Sequence, residues 1–161
     1  MGKGAGGGRP NHKKSFHTQI GEVLNLAKIT SELVGTPYEL GGCNGLDCFS
    51  LIAKYLEKRG IAIPADLIFK GHKLSEYPVD YKSDPKKMIR VAVDYIASLM
   101  TEIHKNKAVG GDVLFVKIED NESLVIAGGN GTIVAATGEN GTVVLNQRNY
   151  TIKRAFRCPK T

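Results

Sequence analysis

The sequence of 161 residues predicts an α+β domain with N-terminal helices followed by an antiparallel β-sheet. Before residue 105, apolar residues recur at helical spacing in three segments. After Gly110-Gly111 the pattern changes to short segments typical of strands. The turns between them, such as Gly128-Gly-Asn-Gly131 and Gly138-Glu-Asn-Gly141, are rich in glycine and asparagine, which is typical of hairpins.

The first helix is expected from His17 to Val34. Gly35-Thr-Pro37 ends the periodic segment, because glycine and proline terminate helices. The apolar stripe comprises Ile20, Val23, Leu24, Ala27 and Leu33.

The second helix is expected from Asp47 to about Arg59, with Gly60 as its stop signal. Asp47 is a favourable N-cap residue, so Cys48 falls in the first turn. Cys48 is in helical register with the apolar stripe, so its side chain is expected on the buried side. This stripe comprises Leu51, Ile52, Tyr55 and Leu56.

A loop-rich stretch is expected from Ile61 to Lys82, and the third helix follows it. Ser83 is expected to cap this helix, and Pro85 fits its first turn. The helix is expected to run to about His104. Its apolar face comprises Met88, Val91, Ala92, Tyr95, Ile96 and Leu99.

Five short strands are expected in the last third of the chain. Tight turns separate several of them, which favours antiparallel pairing of neighbours. The expected strands are Asp112–Ile118, Ser123–Ala127, Thr132–Thr137, Thr142–Leu145 and Thr151–Arg157.

The formal net charge of +6 is concentrated at the N-terminus, because residues 1–14 contain four basic residues and no acidic one. Residues 1–15 also lack an apolar period and are rich in glycine. We therefore predict a flexible basic arm over residues 1–15 and a single domain over residues 16–161. Since the domain itself is nearly neutral, no nucleic-acid-binding face is predicted.

Apolar runs such as Val143-Val-Leu145 are far too short to cross a bilayer. No charged-then-apolar leader precedes the predicted domain. We therefore expect a soluble protein without membrane insertion.

The cysteines Cys43, Cys48 and Cys158 are odd in number and have no repeated spacing, which favours free thiols over a disulfide framework. A zinc site built from Cys43 and Cys48 with His72 or His104 would not match a common ligand spacing. No metal and no cofactor are predicted.

Cys48 is the candidate nucleophile. It follows a glycine-rich loop and stands at the start of a helix, where unpaired N–H groups and the helix dipole favour a thiolate. A thiolate can attack a carbonyl carbon, but an efficient enzyme also needs a base beside it.

Several short motifs occur in a fixed order along the chain. They are Gly35-Thr-Pro-Tyr38, Gly41-Gly42, Asp47-Cys48, Gly60-Ile-Ala-Ile-Pro64, Gly111-Asp-Val-Leu-Phe115 and the segment from Ser123 to Ala136. In this order they resemble the NlpC/P60 family of papain-like cysteine peptidases, over roughly Phe16 to Arg157. The resemblance implies a papain-like fold. It also implies cleavage of peptide bonds in bacterial peptidoglycan by a thiolate, an imidazole base and a third polar group.

Two features resemble bacteriophage proteins. Asp47-Cys-Phe-Ser-Leu-Ile52 replaces the commoner Asp-Cys-Ser-Gly and looks like versions from tail proteins of long-tailed phages. The start Met1-Gly-Lys-Gly4 is similar to that of some tail-tip proteins. These resemblances imply a structural part of the virion tail tip, assembled in the bacterial cytoplasm. Its partners would be other tail proteins, reached through the arm of residues 1–15 and the domain surface, together with peptidoglycan.

Two positions depart from the family pattern, because Ser123 stands at the histidine position and Ala135 at the third polar position. Serine does not act as a base near neutral pH, and alanine cannot orient an imidazole. Tyr38 matches a family tyrosine that either neighbours the thiol or packs the loop. We therefore expect a catalytically inactive domain. The alternative is an active endopeptidase whose base comes from His72 or from a partner chain.

Overall fold

The computed structural model describes residues 26–40, 47–64, 67–73 and 76–159. Within these residues the chain has the expected α+β arrangement, with helices packed against an antiparallel sheet. The helices are α1 (26–33), α2 (Cys48–Lys58), α3 (Tyr77–Ser83) and α4 (Pro85–Leu99). Over the same residues, none of these helices combines the length and apolar character that a membrane span requires.

The strands form a small hairpin and a six-stranded sheet. They are β1 (Ile68–Phe69), β2 (His72–Lys73), β3 (Thr101–Ile103), β4 (Val113–Ile118), β5 (Asn121–Gly129), β6 (Thr132–Thr137), β7 (Gly141–Asn146) and β8 (Thr151–Arg157). The large sheet has the order β3-β8-β4-β5-β6-β7, and every neighbouring pair is antiparallel. The five strands expected from the sequence are therefore confirmed, with ends that differ by at most two residues.

The predicted second helix is confirmed, and α2 begins at Cys48 directly after its N-cap, Asp47. The described part of the first helix, α1, ends just before the turn at Gly35. The predicted arm and the earlier part of the first helix lie outside the described residues.

The predicted start and end of the third helix were both wrong. The N-cap of α4 is Asp84, whose Oδ1 accepts a hydrogen bond from the Lys87 amide at 3.2 Å, while Ser83 is the last residue of α3. The helix ends at Leu99, and Thr101 to Ile103 form an edge strand paired with β8. This pairing with a distant segment outweighs the local helical pattern.

The stretch from Ile61 to Lys82 is more ordered than predicted. Lys70 and Gly71 have φ angles of 52° and 80°, as the tight turn between β1 and β2 requires. Lysine is an unusual residue for the first of these positions, which is why the sequence did not indicate a hairpin. Helix α3 follows this hairpin and begins at Tyr77, with Pro78 in its first turn.

The two faces of the large sheet belong to two separate apolar clusters, as the alternation of side chains along a strand requires. The first face packs against α2 and α4 through Leu124 and Ile126 of β5 and Val134 of β6. The second face carries the cluster of Leu114, Val116, Val125, Ala127, Ile133, Ala135 and Ala155. Ile103 and Leu145, from the two edge strands, are partly buried and also pack against this second cluster.

Candidate active site around Cys48

Asp47 fixes the start of α2 through a reciprocal capping box. Its Oδ1 accepts a hydrogen bond from the Ser50 amide at 2.7 Å, and the Ser50 Oγ accepts one from the Asp47 amide at 2.7 Å. Asp47 is only 3% exposed. The arrangement holds Cys48 in the first turn of α2, and Cys48 packs against the first apolar cluster, as predicted.

The thiol of Cys48 lies against strand β5. Among the described residues, β5 pairs with β6 only between Ile126 and Gly129. The Ala127 amide donates to the carbonyl of Asp112, directly before β4, so by alternation the Leu124 amide points away from β4. This amide and the Ser123 hydroxyl both act on the Cys48 sulfur as donors that lower its pKa, and the Ser123 hydroxyl also donates to the Leu124 carbonyl at 3.4 Å. The structure thus brings together Cys48 and Ser123, two of the positions predicted from the sequence.

Burial raises the pKa of the Cys48 thiol to about 11, and the negative charge of Asp47 adds to this effect. Hydrogen bonds from the Leu124 amide, the Ser123 hydroxyl and the Phe49 amide act in the opposite direction but do not offset it. The helix start alone would favour a thiolate, but in the folded chain desolvation is the larger effect. At neutral pH only on the order of one molecule in ten thousand carries the thiolate.

Three tyrosines surround this thiol. Tyr38 and Tyr81 each interact electrostatically with Cys48 and Asp47, and burial is the main cause that raises both of their pKa values, that of Tyr38 to about 12. Tyr77 is 6% exposed, and burial followed by the Cys48 charge raises its pKa as well. Tyr38 is therefore close enough to Cys48 for the two groups to interact, and whether its role is at the thiol or in packing the loop stays a prediction.

Tyr77 and Tyr81 were not identified as site residues from the sequence. Their spacing of four residues is a helical signal that could have placed both on one face. The Tyr77 ring stacks on Phe49 with a centroid distance of 5.2 Å, and its centroid lies 5.7 Å from that of Tyr81.

Tyr38 is held near Cys48 by a contact between the segment before it and strand β7. The Gly35 amide donates to the Thr142 carbonyl at 2.8 Å, and the Thr142 amide donates to the Thr36 carbonyl at 2.8 Å. Gly141 has a φ of +70° and lies against this segment, so closely that a side chain at this position would overlap the Thr36 carbonyl.

Ala135 lies in β6 and is 4% exposed. It packs within the second apolar cluster, whereas Cys48 packs against the first. Its methyl group supplies no polar contact to the thiol.

Two of the four histidines lie in described segments. His72 Nδ1 hydrogen-bonds to Asp80 Oδ2 at 3.2 Å. His104 Nδ1 accepts a hydrogen bond from the Asn106 amide at 3.1 Å. Among the described residues, no imidazole hydrogen-bonds to the Cys48 sulfur or shifts its pKa. His12 and His17 are outside the described residues.

Cys43 and the Gly41-Gly42 motif also lie outside the described residues. Within the residues that the structure does describe, no three histidine, cysteine or acidic side chains come together as a metal site would require.

The chain is similar to known proteins in both sequence and structure. The model of the NlpC/P60 family matches residues 35–159. No curated protein matches the chain significantly.

Solved structures with similarity to this chain are NlpC/P60 domains and peptidoglycan hydrolases. The NlpC/p60 domain of the peptidoglycan hydrolase SagA is 21% identical, with a TM-score of 0.53 over 83% of this chain and 97% of that one. The P60 domain of an antigen from M. avium subspecies paratuberculosis is 17% identical, with a TM-score of 0.57 over 89% and 99% of the two chains. The peptidoglycan hydrolase RipB of Mycobacterium tuberculosis is 16% identical, with a TM-score of 0.55 over 96% and 74%. At these identities the likeness shows the fold.

Proposed function

Because the chain belongs to the NlpC/P60 family, we propose that it is a catalytically inactive member of this family of peptidoglycan hydrolases and serves as a structural component of a bacteriophage tail tip. The observation that carries the first half is the place of Ser123, a neutral side chain whose hydroxyl acts on the Cys48 thiol at the position where the family resemblance implies an imidazole.

The chemistry of this pair supports inactivity. A serine hydroxyl cannot take the thiol proton near neutral pH, and general-base assistance is worth about a hundred- to ten-thousand-fold in rate. Burial and the Asp47 charge hold the pKa of the Cys48 thiol at about 11, so few molecules carry a thiolate without help. Ala135 is buried among aliphatic side chains and has no group that could orient an imidazole.

The tail role is supported by the sequence. The segment Asp47-Cys-Phe-Ser-Leu-Ile52 resembles versions from phage tail proteins, and the start Met1-Gly-Lys-Gly4 resembles tail-tip proteins. In the proposed role, the basic arm of residues 1–15 contacts neighbouring tail proteins, and the retained fold contributes a surface to the assembly. The protein would then be located in the virion.

Inactivity is tested with purified peptidoglycan peptides and product analysis by mass spectrometry. The wild-type chain and the Cys48→Ala variant should give the same absence of products, while the SagA domain serves as the positive control. Products that form with wild type and disappear in Cys48→Ala would instead establish the active endopeptidase. In that case, loss of activity in His72→Ala would identify the recruited base, and retention would direct the search to a partner chain.

The tail role is tested in the phage that encodes the chain. Cross-linking of intact virions followed by mass spectrometry should join the arm of residues 1–15 to other tail proteins. A deletion of this arm should yield particles with incomplete tails. Virions that lack the chain, or infectious particles assembled without it, would rule out a structural role.

A further inference from the structure

Helix α3 forms one wall of the Cys48 site. Its Tyr77 ring stacks on Phe49, the residue that follows Cys48, and Tyr81 lies one helical turn further along. The hydroxyl groups of both tyrosines interact electrostatically with the Cys48 thiol. Removing α3 would therefore expose the thiol to solvent on this side.

Local interactions stabilise α3 only weakly. The helix has seven residues, and its N-cap residue, Glu76, makes no side-chain capping hydrogen bond. A helix this short depends on tertiary packing, because nucleation costs more than two turns of backbone hydrogen bonds return. Its position is therefore set by the contacts that Tyr77 and its neighbours make.

The principal anchor, Tyr77, is imperfectly packed. Its hydroxyl is buried and has no hydrogen-bond partner among the described residues, which disfavours the closed position. A cavity of about 30 Å³ lies beside the ring and is lined also by Phe49, Met88 and Ala92. This volume is room for about one water molecule, so the packing beside the ring is incomplete.

One side-chain hydrogen bond joins α3 to the β1–β2 hairpin within the described structure. His72 Nδ1 donates to Asp80 Oδ2 at 3.2 Å, and both side chains are partly exposed. At its other end, α3 meets α4 at Asp84, which has an extended φ of −148° and terminates one helix while capping the next. A hydrogen bond therefore holds the middle of α3 at Asp80, and the chain can bend at Asp84, where α3 ends and α4 begins.

We propose that α3 is a lid that turns about Asp84 and so increases access to Cys48, which is partly exposed in the closed position, with the hydrogen bond between His72 and Asp80 as its latch. The three supports are independent of one another. They are a short helix whose N-cap makes no side-chain hydrogen bond, an anchor whose hydroxyl has no partner among the described residues, and one side-chain hydrogen bond to the hairpin within the same residues. The lid governs access to the thiol whether or not Cys48 is catalytic, so the inference does not rest on the proposed inactivity.

The lid is tested by alkylation of the folded full-length chain with iodoacetamide, followed residue by residue by mass spectrometry. Asp80→Asn weakens the latch and should speed labelling of Cys48 on the order of fivefold, as expected for loss of a partly exposed pair. Asp94→Asn is the matched control, because it removes the Lys70–Asp94 pair that ties the same hairpin to α4. Labelling in this control should equal that in wild type. Cys158 is partly buried and lies near Arg59 and Asp112, outside α3, so it reports global opening within the same molecule.

The pH profile separates opening from a change in thiol acidity. A more open lid multiplies the labelling rate by one factor at every pH, whereas an altered pKa moves the midpoint of the profile. Equal Cys48 rates in wild type and Asp80→Asn, or a parallel rise at Cys158, would overturn the proposal. Tyr77→Phe removes the unpartnered hydroxyl and should slow Cys48 labelling. If Asp80→Asn does not fold, Tyr77→Phe is the deciding variant. Labelling of Cys48 in Tyr77→Phe at the wild-type rate or faster would refute the lid.

Discussion

The Ser123 hydroxyl acts on the Cys48 thiol as a donor that lowers its pKa, and the backbone amide of the next residue, Leu124, acts in the same direction. Strand β5 thus places two neutral donors beside the thiol. Neutral donors stabilise a thiolate but cannot accept its proton. Because burial and Asp47 act more strongly in the other direction, the pKa of the thiol stays near 11.

Replacing Ser123 by histidine should lower the apparent pKa of the Cys48 thiol by about one unit or more, because an imidazolium beside a thiolate stabilises it. Alkylation of Cys48 as a function of pH measures this shift. Ser123→Ala is the control and should raise the pKa, since it removes one donor to the sulfur. Identical profiles for the histidine and alanine variants would show that position 123 does not act on the thiol.

Removing the charge of Asp47 should also lower the pKa of the Cys48 thiol, because this charge is the second cause of its elevation. Asn is nearly as good an N-cap as Asp, so Asp47→Asn should cost less than about 1 kcal/mol of stability. The same pH-dependent alkylation gives the result. Asp84→Asn, the equivalent change at the N-cap of α4, should not shift the pH dependence of Cys48 alkylation. An unshifted profile in Asp47→Asn would contradict the assigned role.

Stability should fall as the pH rises from about 9 to 11. The folded pKa of Cys48, about 11, lies above the ordinary value of 9.0, so the folded state holds its proton more tightly than the unfolded state does. The Cys48 thiol contributes its full stabilisation below pH 9, and this contribution decreases as the pH rises from 9 past 11. Urea denaturation at several pH values should show a smaller alkaline loss for Cys48→Ala, by up to about 2 kcal/mol. Equal losses in the two proteins would exclude this contribution.

The ion pair between Arg157 and Asp112 should stabilise the fold far more than a similar pair on the same strand. Both contacts of Arg157 to the Asp112 carboxylate are 3.0 Å long, and Asp112 is 3% exposed. Arg157→Ala leaves this carboxylate buried without its charged partner and, among the described residues, with only the hydrogen bond from the Val109 amide, at a cost of about 1–3 kcal/mol. Arg154→Ala breaks an exposed bidentate pair with Glu102 and should cost at most about 1 kcal/mol. Chemical denaturation compares the two, and similar losses would contradict the prediction.

Gly141→Ala should destabilise the chain and displace Tyr38 from the site. Gly141 has a positive φ, and a Cβ there would overlap the Thr36 carbonyl, so the cost should exceed about 2 kcal/mol. Gly138→Ala is the matched control in the same turn, where a Cβ would meet no atom within 4 Å. Thermal unfolding measures both variants. If the Gly141→Ala protein were as stable as Gly138→Ala, the segment at Thr36 would have to move away from the new Cβ at little cost, which would contradict the prediction.

Local signals in the sequence were sufficient for most of the fold. The N-cap Asp47, the apolar stripe of α2 and the glycine-rich turns each act over a few residues, and the expected α2 and five strands are present. The predicted elements were wrong where contacts with distant segments determine the local structure. Thr101 to Ile103 pair with β8, more than fifty residues further along, and no local pattern encodes such a partner.

The sequence by itself determined the family and the position of Cys48 at a helix start, and it predicted departures from the family pattern at Ser123 and Ala135. Only the tertiary structure decided the state of the thiol. A helix start favours a thiolate, but the desolvation that raises the pKa of Cys48 comes from the packing of β5 and α3 around it. Tyr77 and Tyr81 became part of the site for the same reason, because burial and charge depend on which segments meet in space.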